Sequence, residues 1–319
     1  MAVLMSLVLS SCERLELPSS VPDEIPPLPP AGLIVESSHD GYVFIGWLKN
    51  TERDLRGYIV YRSEGIPPTP PYLVVDTVTR NFYIDGGLSY DTLYSYFVVA
   101  LDASGNVSMP SDTVTVRSPN EEDPETPLSF QVHGKNQEGQ VFMRLEWIPT
   151  NDFDLAGYVV YRGDGPEVLP SQRFSIAFTE RAMYDDTAVS ADGRRWYYTV
   201  TAVDRGGRYG QASPVRSDLV TLPPEILEPA DGAQVTGYPL FVWKGVRGAL
   251  SYEVTVSREP SSGVIWTGSV TDSGEQVVHL QYTGPVLNRG RAYYWRISTF
   301  TQQDRIANAV TRAFIFQIM

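Results

Sequence analysis

Apolar and polar residues alternate along most of the chain. Val43, Ile45 and Trp47 recur at every second position, as do Tyr58 and Val60, and then Tyr94, Tyr96, Val98 and Ala100. A period of two built from β-branched and aromatic side chains predicts half-buried strands. Turn clusters such as Asp85-Gly86-Gly87, Ala103-Ser104-Gly105-Asn106 and Asp192-Gly193 separate them. No long stretch carries a helical apolar period. Many short strands at regular spacing point to antiparallel sandwiches.

The pattern also repeats. Trp47 is followed by Asp54-Leu55-Arg56-Gly57-Tyr58-Ile59-Val60-Tyr61-Arg62, and one hundred residues on Trp147 is followed by Asp154-Leu155-Ala156-Gly157-Tyr158-Val159-Val160-Tyr161-Arg162. Tyr96-Phe97-Val98-Val99-Ala100-Leu101-Asp102 returns as Tyr198-Thr199-Val200-Thr201-Ala202-Val203-Asp204, and Gly105 or Gly207 then leads a turn into Ser111 or Ser213. A more distant copy follows Pro223-Pro224, with Trp243, Tyr252-Glu253-Val254-Thr255-Val256, and Leu287, Gly290, Tyr293, Trp295 and Ile297. Strings of this length at one offset mark an internal repeat.

The early Trp, the Gly-Tyr-x-Val-Tyr-Arg strand and the Leu-x5-Tyr-x-Tyr-x-Val-x-Ala-x-Asp run resemble fibronectin type III domains, most closely the bacterial variety. The resemblance implies an all-β chain of three tandem antiparallel immunoglobulin-like sandwiches, at 31–118, 127–222 and, more loosely, 223–319. It also implies that the Trp packs the core and that Tyr94 and Tyr293 form a corner, their hydroxyls tying back to upstream backbone. Trp196 holds that place in the second copy, after an altered loop.

The N-terminus adds an expected address. Cys12 is the one cysteine, which excludes an intramolecular disulfide and a Cys-based metal site. An apolar run ends in Leu9-Ser10-Ser11-Cys12, which resembles a bacterial lipobox, an apolar residue and two small ones before a Cys that becomes lipid-modified. Eleven residues fall short of the roughly 20 that span a bilayer, so 1–11 reads as part of an export signal. The Lys/Arg-rich start usual in such a signal is missing before Cys12, and the other reading is an apolar N-terminus with a chance Cys. Residues 12–30 hold Pro18, Pro22, Pro26, Pro27, Pro29 and Pro30 and read as a semi-rigid spacer after the lipidated residue. A membrane partner through a lipid anchor, at the bacterial cell envelope, is the expectation.

Charge and motif content narrow the chemistry. A net charge of −13 argues against nucleic acid, whose phosphates call for clustered Lys and Arg. No Gly-x-Ser-x-Gly, His-Glu-x-x-His or P-loop string occurs, and each repeat is barely long enough for its own sandwich, so no enzyme and no cofactor is expected. His39, His133 and His279 lie in different repeats without a second ligand type at metal spacing. Asp152, Asp154, Asp185 and Asp186 invite a calcium reading, but no ligand loop of the EF-hand kind accompanies them, and Glu52 and Asp54 at the same turn of the first copy suggest turn capping. Arg162-Gly163-Asp164 matches an integrin-binding tripeptide, yet Arg62-Ser63-Glu64 stands at the same place in the first copy, and coincidence is the expectation.

Two candidate surfaces remain. With Tyr58, Val60, Tyr96 and Val98 inward, Ile59, Tyr61, Phe97 and Val99 point outward on neighbouring strands, with Val159, Tyr161, Thr199 and Tyr197 in the second copy. Such a patch marks either a site for an envelope protein partner or a face covered by the Pro-rich loop 66–71. Trp266 matches no core position in the other copies and is the candidate for stacking on a polysaccharide. The leading expectation is a non-catalytic envelope scaffold or protein-interaction lipoprotein, and the alternative is a polysaccharide-binding accessory protein.

Overall fold

A computed structural model describes residues 23–65, 71–137 and 139–319, so the expectations placed on 1–22, Cys12 among them, and on a covering loop at 66–70 lie outside the described residues. The described chain holds strands and turns and no helix. It divides into two compact units, up to Glu122 and from Asp123 onward.

The first unit has seven strands: β1 (Ile34–His39), β2 (Tyr42–Gly46), β3 (Leu55–Glu64), β4 (Leu73–Val78), β5 (Phe82–Gly86), β6 (Leu93–Asp102) and β7 (Val114–Arg117). They form a three-stranded sheet, β1-β2-β5, facing a four-stranded sheet, β4-β3-β6-β7. Each strand turns one row of side chains inward, and Val43, Ile45, Trp47, Tyr58, Val60, Tyr94, Tyr96 and Val98 meet in one core. This is the immunoglobulin-like sandwich that the resemblance implies.

The second unit opens with β8 (Leu128–Gln137), β9 (Gln140–Ile148), β10 (Leu155–Gly163), β11 (Ser175–Thr179), β12 (Met183–Asp186), β13 (Arg195–Asp204) and β14 (Arg216–Leu219). Its pairings β12-β9-β8 and β11-β10-β13-β14 repeat the first topology around Trp147, Tyr158 and Tyr198. Then follow β15 (Ile226–Glu228), β16 (Ala233–Val235), β17 (Leu240–Lys244), β18 (Ser251–Ser257), β19 (Val264–Thr271), β20 (Val277–Gln281), β21 (Ala292–Phe300), β22 (Ala309–Val310) and β23 (Phe314–Ile318). Here β15-β17-β20 faces β19-β18-β21, and β21 continues to β22 and β23 around a further core of Trp243, Tyr252 and Trp295. The two sandwiches of this unit share a sheet, because β22 pairs in parallel with β8, Ala309 opposite Asn136.

Three small devices recur in the sandwiches. The core Trp meets a Tyr edge-on, at 5.2 Å for Trp47–Tyr58, 5.1 Å for Trp147–Tyr158 and 5.4 Å for Trp243–Tyr252. Each of these Tyr hydroxyls accepts a turn N–H, from Asn50 at 2.8 Å, Thr150 at 2.9 Å and Val246 at 2.7 Å. The expected tyrosine corners are present too: Tyr94 accepts from the Ser89 N–H at 3.0 Å and Tyr293 from the Asn288 N–H at 2.9 Å. At the corresponding place Trp196 has no hydroxyl to offer, and the guanidinium groups of Arg162 and Arg194 lie over its ring instead, at 4.6 and 4.1 Å.

Part of the expected spacer belongs to the first unit. Pro27 and Pro30 are buried, the Leu28 N–H donates to Glu52 Oε1 at 2.7 Å, and Asn50 Nδ2 donates to the Leu28 carbonyl at 2.8 Å. Proline lacks a backbone donor but offers an apolar ring, so an extended Pro-rich segment packs well where its neighbours' polar groups find side-chain partners.

Candidate functional site

The outer face of the first unit's four-stranded sheet is built by register. Strands β3 and β6 pair so that Tyr61 stands opposite Phe97 and Ile59 opposite Val99. The Tyr61 and Phe97 rings stack, 4.6 Å apart at 14°, and Tyr72 leans on Phe97 at 4.8 Å. Edge strand β4 adds the exposed side chain of Val74, which stands opposite Tyr61. Ile59, Tyr61 and Phe97 are half-buried. Val99 departs from the expectation of an outward-exposed side chain, since only 4% of it is accessible. Segment 108–111 returns along the same half of β6, its Ser108 and Ser111 N–H groups donating to the Ala100 and Val98 carbonyls, which encloses Val99 between strands.

In the second copy the tyrosine of this face is covered. Tyr161 is 4% exposed, and its hydroxyl lies 3.3 Å from Thr201 Oγ1. The loop after β10 folds back, burying Val168 so tightly against Gly163 that a Cβ there would lie 2.6 Å from the valine. Tyr161 therefore lines an open groove of about 630 Å³ with Pro170, Gln172, Phe178 and Tyr209 rather than a projecting patch. Loop packing decided this, and strand period carries no information about it.

Trp266 also differs from its expected place. Its indole packs on the core of the last sandwich, 4.8 Å from Tyr282 and 5.9 Å from Phe241. Gly268 and Gly284 make room for it, since a Cβ on either would come within 2.6 Å of the ring. On β19 the inward row is Trp266, Gly268 and Val270, and a half-buried ring in that row is not a free stacking platform.

Most carboxylates singled out in the sequence are committed to partners. Asp186 receives Arg162 at 2.7 Å and the Tyr198 hydroxyl at 2.9 Å, and Asp185 receives Arg144 through both oxygens at 2.8 and 2.7 Å. The first unit repeats the former arrangement: Arg62 and Tyr96 both donate to Asp85 at 2.8 Å. Burial, and then the neighbouring carboxylate, raise the Tyr96 and Tyr198 hydroxyls far above the ordinary tyrosine pKa. Arg162, first residue of the Arg-Gly-Asp string, is thus tied inward. Asp152 accepts the Glu125 N–H at 3.0 Å, as Glu52 accepts that of Leu28, so both acids cap the segment entering their sandwich.

Two clusters escaped the sequence. His39, Asp40 and Glu122 place donor atoms within 4.8 Å of one another, and so do Asp23, Asp54 and Asp102. The partners come from positions up to 83 residues apart, a proximity that spacing alone does not reveal. In the first cluster Asp40 accepts His39 Nδ1 at 2.7 Å and the Glu121 and Glu122 N–H groups. Burial alone would raise its pKa, but those hydrogen bonds outweigh it and lower it. Each cluster offers three donors, fewer than the six or more oxygens calcium takes. The Arg–Asp–Tyr groups were also missed, although Arg62/Arg162, Asp85/Asp186 and Tyr96/Tyr198 recur with the repeat.

Comparison with known proteins places the chain among relatives of larger size. No family model matches it. It is 28% identical over 266 residues to Exoglucanase B of Cellulomonas fimi, covering 76% of this chain and 22% of the relative. It is 37% identical over 100 residues to Chitinase Chi52 of Paenibacillus xylanexedens, and 35% identical over 101 residues to an alpha-amylase of Niallia circulans, each covering 31% of this chain and respectively 18% and 7% of the relative. The chain thus spans about a fifth or less of the length of these relatives. Among solved structures it is similar to the FN1-FN3 domains of chicken CNTN1, at 16% identity and a TM-score of 0.35, covering 91% of this chain and 98% of that one.

Proposed function

We propose that this protein is a non-catalytic accessory module for polysaccharide, a set of tandem β-sandwiches held at the bacterial cell envelope by a lipid on Cys12. One observation carries the reading. The stretches shared with the chitinase and the amylase are 100 and 101 residues long, and the internal repeat, Trp47 to Trp147, has the same length. A shared segment of one repeat's length, in relatives many times longer than that segment, is what a module carried beside another activity leaves behind. Ion-paired carboxylates and closed cores agree with a supporting role.

A second reading, docking of an envelope protein, rests on the stacked Tyr61–Phe97 face, whose rings engage one another instead of presenting open faces to a sugar. The full chain, mixed with insoluble cellulose, chitin and starch, is expected to sediment with at least one polymer and to release no sugar from it. Cys12→Ala is expected to move the protein from the membrane to the soluble fraction and leave sedimentation unchanged. Absence of sedimentation with all three polymers, together with capture of one envelope protein that Tyr61→Ser/Phe97→Ser abolishes, would replace the first reading with the second.

A further inference from the structure

We infer that the groove beside the 301–308 loop, on the outer face of the last sandwich, binds a neutral hexopyranose chain; this rests on the polysaccharide reading and gives it a place. The groove encloses about 400 Å³, within the range of small-ligand sites. Its floor is the outward row of β19, β18 and β21. Thr271 stands opposite Ser251, and Ser251 opposite Phe300, while Ser269 stands opposite Glu253. Its wall is the loop, through Gln302, Gln303 and Arg305.

The chemistry suits a sugar. A pyranose offers an apolar C–H face and a rim of hydroxyls, and the groove sets the exposed Leu250 side chain, over the buried Phe300, among the side chains of Ser251, Glu253, Ser269, Thr271 and Gln303. Arg305 donates to Glu253 Oε2 at 2.9 Å, a charge-assisted pair that can bracket vicinal hydroxyls while keeping the groove neutral. A chain of net charge −13 repels an anionic glycan, so a neutral one is specified.

The loop is fixed before any ligand arrives. Gln302 Nε2 donates to the Val132 carbonyl at 2.7 Å, Asp304 pairs with the buried His133 at 2.7 Å, and Lys135 Nζ donates to the Ala307 carbonyl at 3.1 Å. Arg305 takes a left-handed backbone, φ 61°, which non-glycine residues adopt only where surrounding structure holds them. The loop is thereby pre-organised, which lowers the entropy cost of binding.

Calorimetric titration of the full chain with cellohexaose, chitohexaose and maltohexaose tests the site. At least one is expected to bind, and Arg305→Ala and Gln303→Ala, both at exposed positions, are each expected to weaken it about tenfold with the melting temperature unchanged. The Tyr61→Ser/Phe97→Ser variant is expected to bind like wild type. Equal affinity in wild type, Arg305→Ala and Gln303→Ala would overturn the groove while leaving the polysaccharide reading standing. Failure of all three hexasaccharides to bind a chain that sediments with an insoluble polymer would overturn the groove in the same way. Failure of both measurements would overturn the groove and that reading together.

Discussion

Asp85 and Asp186 are buried acids whose presence inside a sandwich depends on partners. Each accepts one arginine and one tyrosine hydroxyl, and removing a partner leaves a buried charge short of a hydrogen bond. Tyr96→Phe is expected to destabilise the first unit by about 1–3 kcal/mol, read by urea unfolding at neutral pH. The tyrosine also sets a pH dependence. Its folded pKa is raised, so its contribution is complete below the unfolded value near 10 and declines as pH rises past about 10. Wild type is therefore expected to lose stability between about pH 10 and 11, and Tyr96→Phe to lose less over the same interval. The recurrence of Arg, Asp and Tyr at matching offsets made these residues legible. Their mutual bonding was not, because Asp sits on the sheet opposite the strands carrying Arg and Tyr.

At the scale of elements, the long strands β6, β13 and β21 share one problem. Their first halves pair with a short neighbouring strand, but Val98, Val200 and Ile297 lie beyond its reach. In each case a hydroxyl substitutes: Ser111 Oγ accepts the Val98 N–H at 3.0 Å, Ser213 Oγ the Val200 N–H at 3.1 Å, and Thr311 Oγ1 the Ile297 N–H at 3.0 Å. The same three residues return a backbone N–H to the carbonyls of Val98, Val200 and Ile297. A buried backbone donor must find a partner, which explains why a small hydroxyl residue follows the turn in every copy. Ser111→Ala is expected to cost about 1–2 kcal/mol and to accelerate hydrogen exchange at the Val98 amide more than at its neighbours. The sequence displayed Ser111 and Ser213 as repeated positions, while Thr311 became recognisable only once β21 and its returning segment were in place.

At the scale of the molecule, the unit from Asp123 onward is organised around Asn308. Its Oδ1 accepts the Thr221 N–H at 2.9 Å and the Thr221 hydroxyl at 3.0 Å, and its Nδ2 donates to the Leu219 carbonyl at 2.6 Å. Its carbonyl accepts the Asn136 N–H at 2.7 Å. Gly134 permits the approach, since a Cβ there would lie 2.0 Å from the Leu219 oxygen and 2.4 Å from Asn308 Nδ2. A fully bonded, 1% exposed amide joining two cores makes them unfold together. Asn308→Ala removes the amide and leaves the Leu219 carbonyl and the Thr221 donors without it. Calorimetry of the full chain is expected to show one transition for these two sandwiches in wild type and two in the variant.

By itself the sequence determined the strands and the repeat, because a period of two and a fixed offset are properties of neighbouring residues along the chain, and its resemblance to fibronectin type III domains implied the core tryptophans and the tyrosine corners. It also marked the face of Ile59, Tyr61 and Phe97, since alternation assigns sides of a sheet. Only the tertiary structure decided that Tyr161 and Val99 are enclosed, that Trp266 faces inward, that residues 23–30 pack on the first sandwich, and that the 301–308 loop is held by His133, Lys135 and Asn136. Those outcomes depend on how loops fold back and on contacts between residues far apart along the chain, up to 172 positions for the 301–308 loop. The geometry of the folded chain, and no local pattern, specifies them.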